Sequence, residues 1–373
     1  MKSVNGFEIK KLNRSRIYNQ IRKQGSLSRQ DLVAALRLSL PTVTQNLKEL
    51  QDEGLLCESG SFGNTGGRHA RAYSITQDAR IAVGIDITRH RIALVAVNLE
   101  GRVLSQRQVS CNFSLDNAYF RGLGSEVENL IRESDFDPQK VLGVGIAVPG
   151  LITEDCQKVF YGEILNFTSA TNDAIGRYIP YPHALYNDAN AAGFAEIWSN
   201  PEIKDAFYIM LGNNIGGSIL INHCVYSGDG SRSGEVGHIT LSPDGPLCYC
   251  GQRGCFETYC NATVLSTHTD GDLNAFFDRL KNGDPECRDV WQQYLRYLSI
   301  AVNNVCMLFN CRVILGGYVG AYLDDSVDEL KALCAKRNPF EKDADYIQVC
   351  KYKTEAIAAG AALPYIDQFI GSI

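Results

Sequence analysis

One short stretch limits what this chain can fold into more than any other. Residues 238–257 read His-Ile-Thr-Leu-Ser-Pro-Asp-Gly-Pro-Leu-Cys-Tyr-Cys-Gly-Gln-Arg-Gly-Cys-Phe-Glu. Cys248, Cys250 and Cys255 fall close together, with Gly251 and Gly254 between the last two. Glycine permits the tight backbone turns that bring several thiolates toward one point. With the imidazole of His238 the three sulfurs make a closed Cys3His set, the ligand field preferred by structural zinc. The competing reading is three buried free thiols; the spacing favours the metal.

The remaining cysteines do not extend this pattern. The chain has 13 in 373 residues, an odd number without regular spacing, which argues against a secreted disulfide framework. Residues 1–11 carry charges and no apolar core of a signal peptide, and apolar runs elsewhere are short and interrupted. A cytoplasmic protein with no membrane insertion is expected. Charge is unevenly shared: residues 1–75 hold 12 Lys and Arg against 6 Asp and Glu, and the rest holds 24 against 36. A basic head on an acidic body is the division expected when one domain touches nucleic acid and the other does not.

Three helical patterns open the chain. Asn13 can cap the first, with Ile17, Tyr18 and Ile21 on its apolar face and Gly25 after it. Ser28 and Asp31 form a capping-box pattern ahead of Leu32, Ala35 and Leu36. Ser39 and Pro41 then start a third helix with Val43, Leu47 and Leu50 on one side. Its other positions, Thr42, Thr44, Gln45, Asn46 and Lys48, carry side chains suited to base edges and phosphates. A hairpin follows, with a glycine-rich reversal at 60–67 and basic Arg68 and Arg71. This order predicts a winged helix-turn-helix over residues 1–80, binding operator DNA; a small protein-binding helical domain is the alternative.

From residue 81 the apolar period shortens. Strands are expected at 82–87, 91–97 and 102–110, a helix at 125–133, and a strand at 141–148 ended by Pro149 and Gly150. Further strands at 206–211 and 218–221 and helices at 289–310 and 354–370 complete an alternating α/β body.

The segments just described resemble the ROK family of repressors, open reading frames and sugar kinases over nearly the whole chain. The likeness rests on Gly237-His238, on Cys248-x-Cys250-Gly251-x-x-Gly254-Cys255-x-Glu257, on Asn187-Asp188-Ala189-Asn190, and on Gly66-Gly67-Arg68 in the wing. It implies an actin-like, ribonuclease-H-like body of two lobes over residues 81–373. Lobe one would hold about 81–190 plus 354–373, and lobe two about 191–353 with the zinc. It also implies a sugar pocket of Asn187, Asp188, Glu235, His238 and Glu257, in which Asp188 is the catalytic base if the chain is a kinase. Read without the resemblance, Asn187 and Asp188 are a helix cap, and Glu235 and Glu257 are surface charge or supports of the zinc.

The ATP side departs from the family's kinases. Where they carry Asp-x-Gly-Gly-Thr-Lys, this chain has Asp86-Ile87-Thr88-Arg89-His90-Arg91. Where they carry Leu-Gly-Thr-Gly-x-Gly-Gly, it has Leu211-Gly212-Asn213-Asn214-Ile215-Gly216-Gly217, and Tyr318 follows Leu315-Gly316-Gly317. The resemblance therefore implies a sugar-responsive regulator, a repressor released by a monosaccharide, acting as a homodimer or tetramer. An ATP-dependent hexose kinase with an appended head is the alternative, and a sugar-transport protein is a further candidate partner.

Overall fold

The computed structural model describes residues 6–61 and 71–373. The head opens with α1 (Gly6–Gln24), which starts earlier than expected, so Asn13 lies inside the helix instead of capping it. Asparagine is only mildly unfavourable within a helix, so its presence did not require a boundary there. Strand β1 (Leu27–Ser28) leads into α2 (Arg29–Leu36). The Ser28 hydroxyl accepts from the Asp31 N–H and the Asp31 carboxylate accepts from the Ser28 N–H, the expected capping box. After a left-handed Arg37, Ser39 caps α3 (Leu40–Asp52), a contact worth about 1 kcal/mol in most helices. Strands β2 (Leu56–Ser61) and β3 (Arg71–Ile75) pair antiparallel, and β1 joins the other edge of β3. The wing tip, with the Gly66-Gly67-Arg68 motif, lies outside the described residues.

The first half of the body is a five-stranded mixed sheet. Strands β4 (Ile81–Ile87), β5 (Arg91–Asn98) and β6 (Val103–Ser110) form a meander, followed by α4 (Asn117–Glu133). That helix starts before residue 125 because Asp116 caps it, accepting the Tyr119 N–H at 2.8 Å. Strand β7 (Val141–Val148) runs parallel to β4; β8 (Leu151–Ile152) and β9 (Val159–Tyr161) form a small hairpin beyond its end. After α5 (Asn172–Ile175), β10 (His183–Asn187) completes the order β10-β7-β4-β5-β6.

The second half repeats the plan. Helix α6 (Asp188–Trp198) precedes β11 (Ala206–Leu211), β12 (Ile215–Ile221) and β13 (Cys224–Val225). Beyond the cysteine-rich segment come α7 (Glu257–Cys260), α8 (Ala262–Ser266), α9 (Leu273–Lys281) and α10 (Pro285–Phe309). The chain closes with β14 (Arg312–Gly316), α11 (Gly317–Gly320), α12 (Val327–Ala335), β15 (Ile347–Val349) and α13 (Ala356–Ser372). This sheet has the order β13-β12-β11-β14-β15, with β11 antiparallel to β12 and parallel to β14. Trp291, Tyr294, Leu298 and Val302 of α10 are buried beneath it.

Helix α13 packs across the first sheet and against α6. A Cβ at Gly360 would lie 1.7 Å from the Ala191 carbonyl oxygen, so the two helices touch backbone to backbone only with glycine there. One buried cluster contains Ile17, Tyr18 and Ile21 of α1 together with Leu363, Ile366 and Ile370 of α13, so the head's core is continuous with the body's. The Arg22 guanidinium also stands 4.6 Å from the Trp198 ring centroid. Helix α6 therefore begins in the cleft between the lobes and ends, about 16 Å further on, beneath α1. Among the described residues no helix is long and apolar enough to cross a membrane.

Candidate functional site

The cleft is floored by the end of β10 and the start of α6. Asn187 caps α6: its side-chain oxygen accepts the Asn190 N–H at 2.9 Å, and its amide donates to the Gly150 carbonyl and to Asp188 Oδ1, each at 3.1 Å. Asp188 Oδ1 also accepts the Ala189 N–H at 2.8 Å, which leaves Oδ2 for a ligand. Its carboxyl is pushed up to about 7, by burial first and then by the charges of Asp86 and Glu235. Its side chain is half-buried on the cleft floor. Asn187, Asp188, Glu235 and His238 line one chamber of about 80 Å³.

Glu257 is placed differently. It is 3% exposed, and its carboxylate accepts the Ile215 N–H at 2.5 Å and the Asn214 amide at 3.4 Å. It supports the β11–β12 turn from behind instead of lining the chamber. Two residues that the sequence reading passed over do line it: Tyr161 at the end of β9, and Tyr249 between two of the cysteines. The Tyr249 hydroxyl is 3.2 Å from His238 Nε2, and the rings meet edge to face at 5.2 Å.

His238, Cys248, Cys250 and Cys255 present one ligand atom each within 4.8 Å of one another. Cys248 Sγ is 3.8 Å from His238 Nδ1, and Cys250 Sγ is 3.7 Å from Cys255 Sγ. Sulfurs bound at about 2.3 Å to a tetrahedral ion stand about 3.8 Å apart, so the cluster is compatible with structural zinc. Burial, and then Cys250 and Cys248, push the Cys255 thiol up to about 12, so a bound cation is what would ionise it near neutral pH. Gly254 makes the knuckle possible: it sits at φ +70°, and a Cβ there would lie 1.5 Å from the Ser242 carbonyl oxygen. Nδ1 faces the sulfurs and Nε2 faces the chamber, so metal and ligand would hold opposite edges of one imidazole.

On the far side of Asp188 the cleft is filled by side chains. Arg91, first residue of β5, reaches Asp86 Oδ2 at 3.4 Å and the Tyr318 hydroxyl at 3.3 Å. The Gln108 amide oxygen, turned toward it, accepts from Arg91 at 2.7 and 3.1 Å. Asp86 is 4% exposed, and burial raises its carboxyl to about 6 in spite of Arg91. Arg89 donates to the carbonyl of Ile164, a residue that itself lines the chamber.

In the head, Gln45 and Lys48 on α3 are exposed, and Thr42 and Thr44 are half-buried. Asn46 differs from the expectation. It is 3% exposed and donates to the Thr42 carbonyl at 2.8 Å, so it faces the core and not a groove. Arg71 is exposed and paired with Glu58 at 2.7 Å.

Comparison with known proteins agrees with these features. The family model described as "ROK family" matches residues 82–367, and one described as "Winged helix-turn-helix DNA-binding" matches residues 12–56. The chain is 27% identical to the xylose repressor of Bacillus subtilis, covering 82% of each chain. It is 22% identical to the xylose repressor of Caldicellulosiruptor bescii, covering 97% of each. In fold it resembles a ROK family transcriptional regulator homologous to the E. coli MLC protein, with TM-score 0.75, 23% identity, and 98% and 97% of the two chains covered. A Streptomyces griseus ROK glucokinase, in complex with glucose and AMPPNP, aligns at TM-score 0.60 and 23% identity with 76% of this chain and 98% of its own.

Proposed function

Since the chain belongs to the ROK family and carries a winged helix-turn-helix ahead of that body, we propose that it is a sugar-responsive DNA-binding repressor of carbohydrate-metabolism genes. The observation that carries this reading is the contrast within the cleft. Asn187, Asp188, Glu235 and His238 border open space, while Arg91, Tyr318 and Gln108 close the side that a triphosphate would need. Asp188 has the position and the basicity of a kinase base, which keeps a hexose kinase as the second reading.

A monosaccharide is the effector in this reading. Asn187, Asp188 and Glu235 supply acceptors for its hydroxyls, and His238 Nε2 donates, with a structural zinc on Nδ1 fixing the tautomer. Glu257 takes part by holding the Ile215 turn in place. Several matched repressors are named for xylose or N-acetylglucosamine, so pentoses and N-acetylhexosamines head the test panel. Gln45, Lys48, Thr42 and Thr44, with Arg68 and Arg71 from the wing, contact the operator, and a homodimer presents two such heads to an inverted repeat. Sugar binding at the start of α6 shifts its far end, where Trp198 meets Arg22, and so reorients the head. Such a shift needs about 2–3 kcal/mol of coupling to release DNA.

A gel-shift assay on the upstream region of the chain's own gene, repeated with each sugar and with Mg-ATP, is the test. Release by one sugar without ATP turnover is expected. Sugar phosphorylation abolished in Asp188→Asn would overturn this reading in favour of the kinase.

A further inference from the structure

A second cavity, of about 380 Å³, adjoins the sugar chamber and shares Leu151, Asn187 and Glu235 with it. It lies between the β8–β9 hairpin and the loop after β13, over exposed faces of α6 and α13. The two chambers differ in size and in chemistry. At about 10–15 Å³ per water, the smaller holds roughly six waters, the scale of one sugar ring, and the larger has room for several times more. Most of its open wall is apolar, with Phe194, Val225 and Pro364 contributing, while Thr153, Asn190, Ser227, Ser231 and Ser233 also belong to its lining. Among the described residues its lining contains no lysine or arginine, whereas Glu154, Glu235 and Asp367 contribute carboxylates.

Those walls favour some occupants over others. An anionic ligand such as a sugar phosphate would meet carboxylates without a compensating cation. A second polyol would find partners in Ser227, Ser231, Ser233 and Asn190 over only part of its surface and would lie against apolar wall elsewhere, so it gains less there than an apolar group does. An uncharged apolar group meets neither penalty and gains the burial of its own surface. The shared edge at Asn187 and Glu235 supplies the connection, since a substituent leaving the ring there passes directly from one chamber to the other.

Resting on the sugar-effector reading above, we infer that the effector is a neutral glycoside whose sugar occupies the small chamber and whose apolar aglycone occupies the large one. Free monosaccharides fill only the smaller chamber.

Isothermal titration of the full-length protein with matched methyl and p-nitrophenyl glycosides, in both anomers of a pentose and hexose panel, tests this. For at least one sugar the aryl glycoside should bind about tenfold or more tightly than the methyl glycoside. Val225→Trp, and independently Gln368→Trp on the exposed face of α13, should erase that difference while methyl glycoside and operator binding persist. Equal affinity for methyl and aryl forms would overturn the inference and leave the sugar reading intact. So would preferential binding of disaccharides. If no free sugar or glycoside binds at all, both readings fall together.

Discussion

The two sides of the cleft are built from the same lobes yet treat their polar side chains in opposite ways. On the sugar side Asn187, Asp188 and His238 are each held by backbone or by a neighbouring turn, and one polar edge is left over. Asn187 is fixed by Asn190 and Gly150, Asp188 by Ala189, and His238 has Nδ1 toward the cysteines and Nε2 toward the chamber. On the other side the side chains satisfy one another. Arg91 takes Asp86, Tyr318 and Gln108, and little hydrogen-bonding capacity remains for a visitor. A binding site survives where the scaffold fixes the ligating groups, and it disappears where those groups become each other's ligands.

The largest test of that contrast removes the scaffold under the sugar side. Cys250→Ser should release the metal, and without it the His238 ring loses the bond that aims Nε2. Loss of such orienting contacts costs one to two orders of magnitude, so sugar affinity should fall about 100-fold while operator binding without sugar persists. Zinc analysis together with calorimetry measures both. Sugar affinity that survived loss of zinc would mean that the chamber does not depend on the cysteine knot.

Much of this was legible in the sequence, and the failures have identifiable causes. The capping box at Ser28 and the cap at Ser39 follow from local chemistry, and both are present. The Cys3His cluster was readable because its members are close in sequence and the glycines mark the turns. Asn46 was misread on residue type although its position carried the answer: 43, 46, 47 and 50 share one helical face, and burial follows the period and not the polarity. Glu257 could not be placed from sequence because its partner, the Ile215 N–H, is 42 residues away and bare backbone leaves no signature. Tyr249 escaped notice because the direction of a side chain between two ligands depends on how the knuckle folds. The plug was half visible: the lost glycines were evident, but Gln108 comes from a different strand and reaches Arg91 only through the register of the β5–β6 pair.

A smaller effect is expected at Asp188, where affinity and stability should move in opposite directions. Asp188→Asn removes a charged acceptor, and sugar affinity should drop about tenfold or more. The folded carboxyl, at about 7, lies well above the ordinary carboxylate value, so the folded state keeps a proton that the unfolded chain releases. That contribution to stability is complete below about pH 4 and is lost as pH rises through about 7. Asparagine has no proton to lose. The variant should therefore be more stable than wild type at pH 8 by about 1–2 kcal/mol, a figure discounted for the water that reaches the carboxylate, with the gap closing toward pH 4. Urea titrations at pH 5 and pH 8 read the difference directly.

The plug is tested through stability alone. Arg91→Ala leaves Asp86 buried without its cation, costing about 1–3 kcal/mol at pH 8 and less below pH 6, where Asp86 is protonated in any case. Neither wild type nor variant should show a thermal shift with Mg-ATP, because the Asn213-Asn214 turn still lacks the hydroxyl and the glycine of a phosphate cradle. A clear shift in the wild type would break the comparison between the two sides.

The smallest effect separates two meanings of one hydrogen bond. In the sugar-free geometry the Tyr249 hydroxyl meets His238 Nε2, the nitrogen that a sugar hydroxyl needs. Either the phenol must yield that nitrogen on binding, or it stays and joins the ligand's own hydrogen-bond network. Tyr249 is 56% exposed and its ring forms part of the chamber wall, so it can swing outward without opening the core. Displacement is therefore the expected course, and it costs the net worth of one hydrogen bond, about 1 kcal/mol. Tyr249→Phe keeps the ring and removes the competitor, so sugar affinity should rise about fivefold, whereas Tyr249→Ala should lose the wall and bind less well. A fall in affinity in the phenylalanine variant would mean that the phenol is a ligand of the sugar, and the sugar side would then contain one polar group that the scaffold leaves free to move.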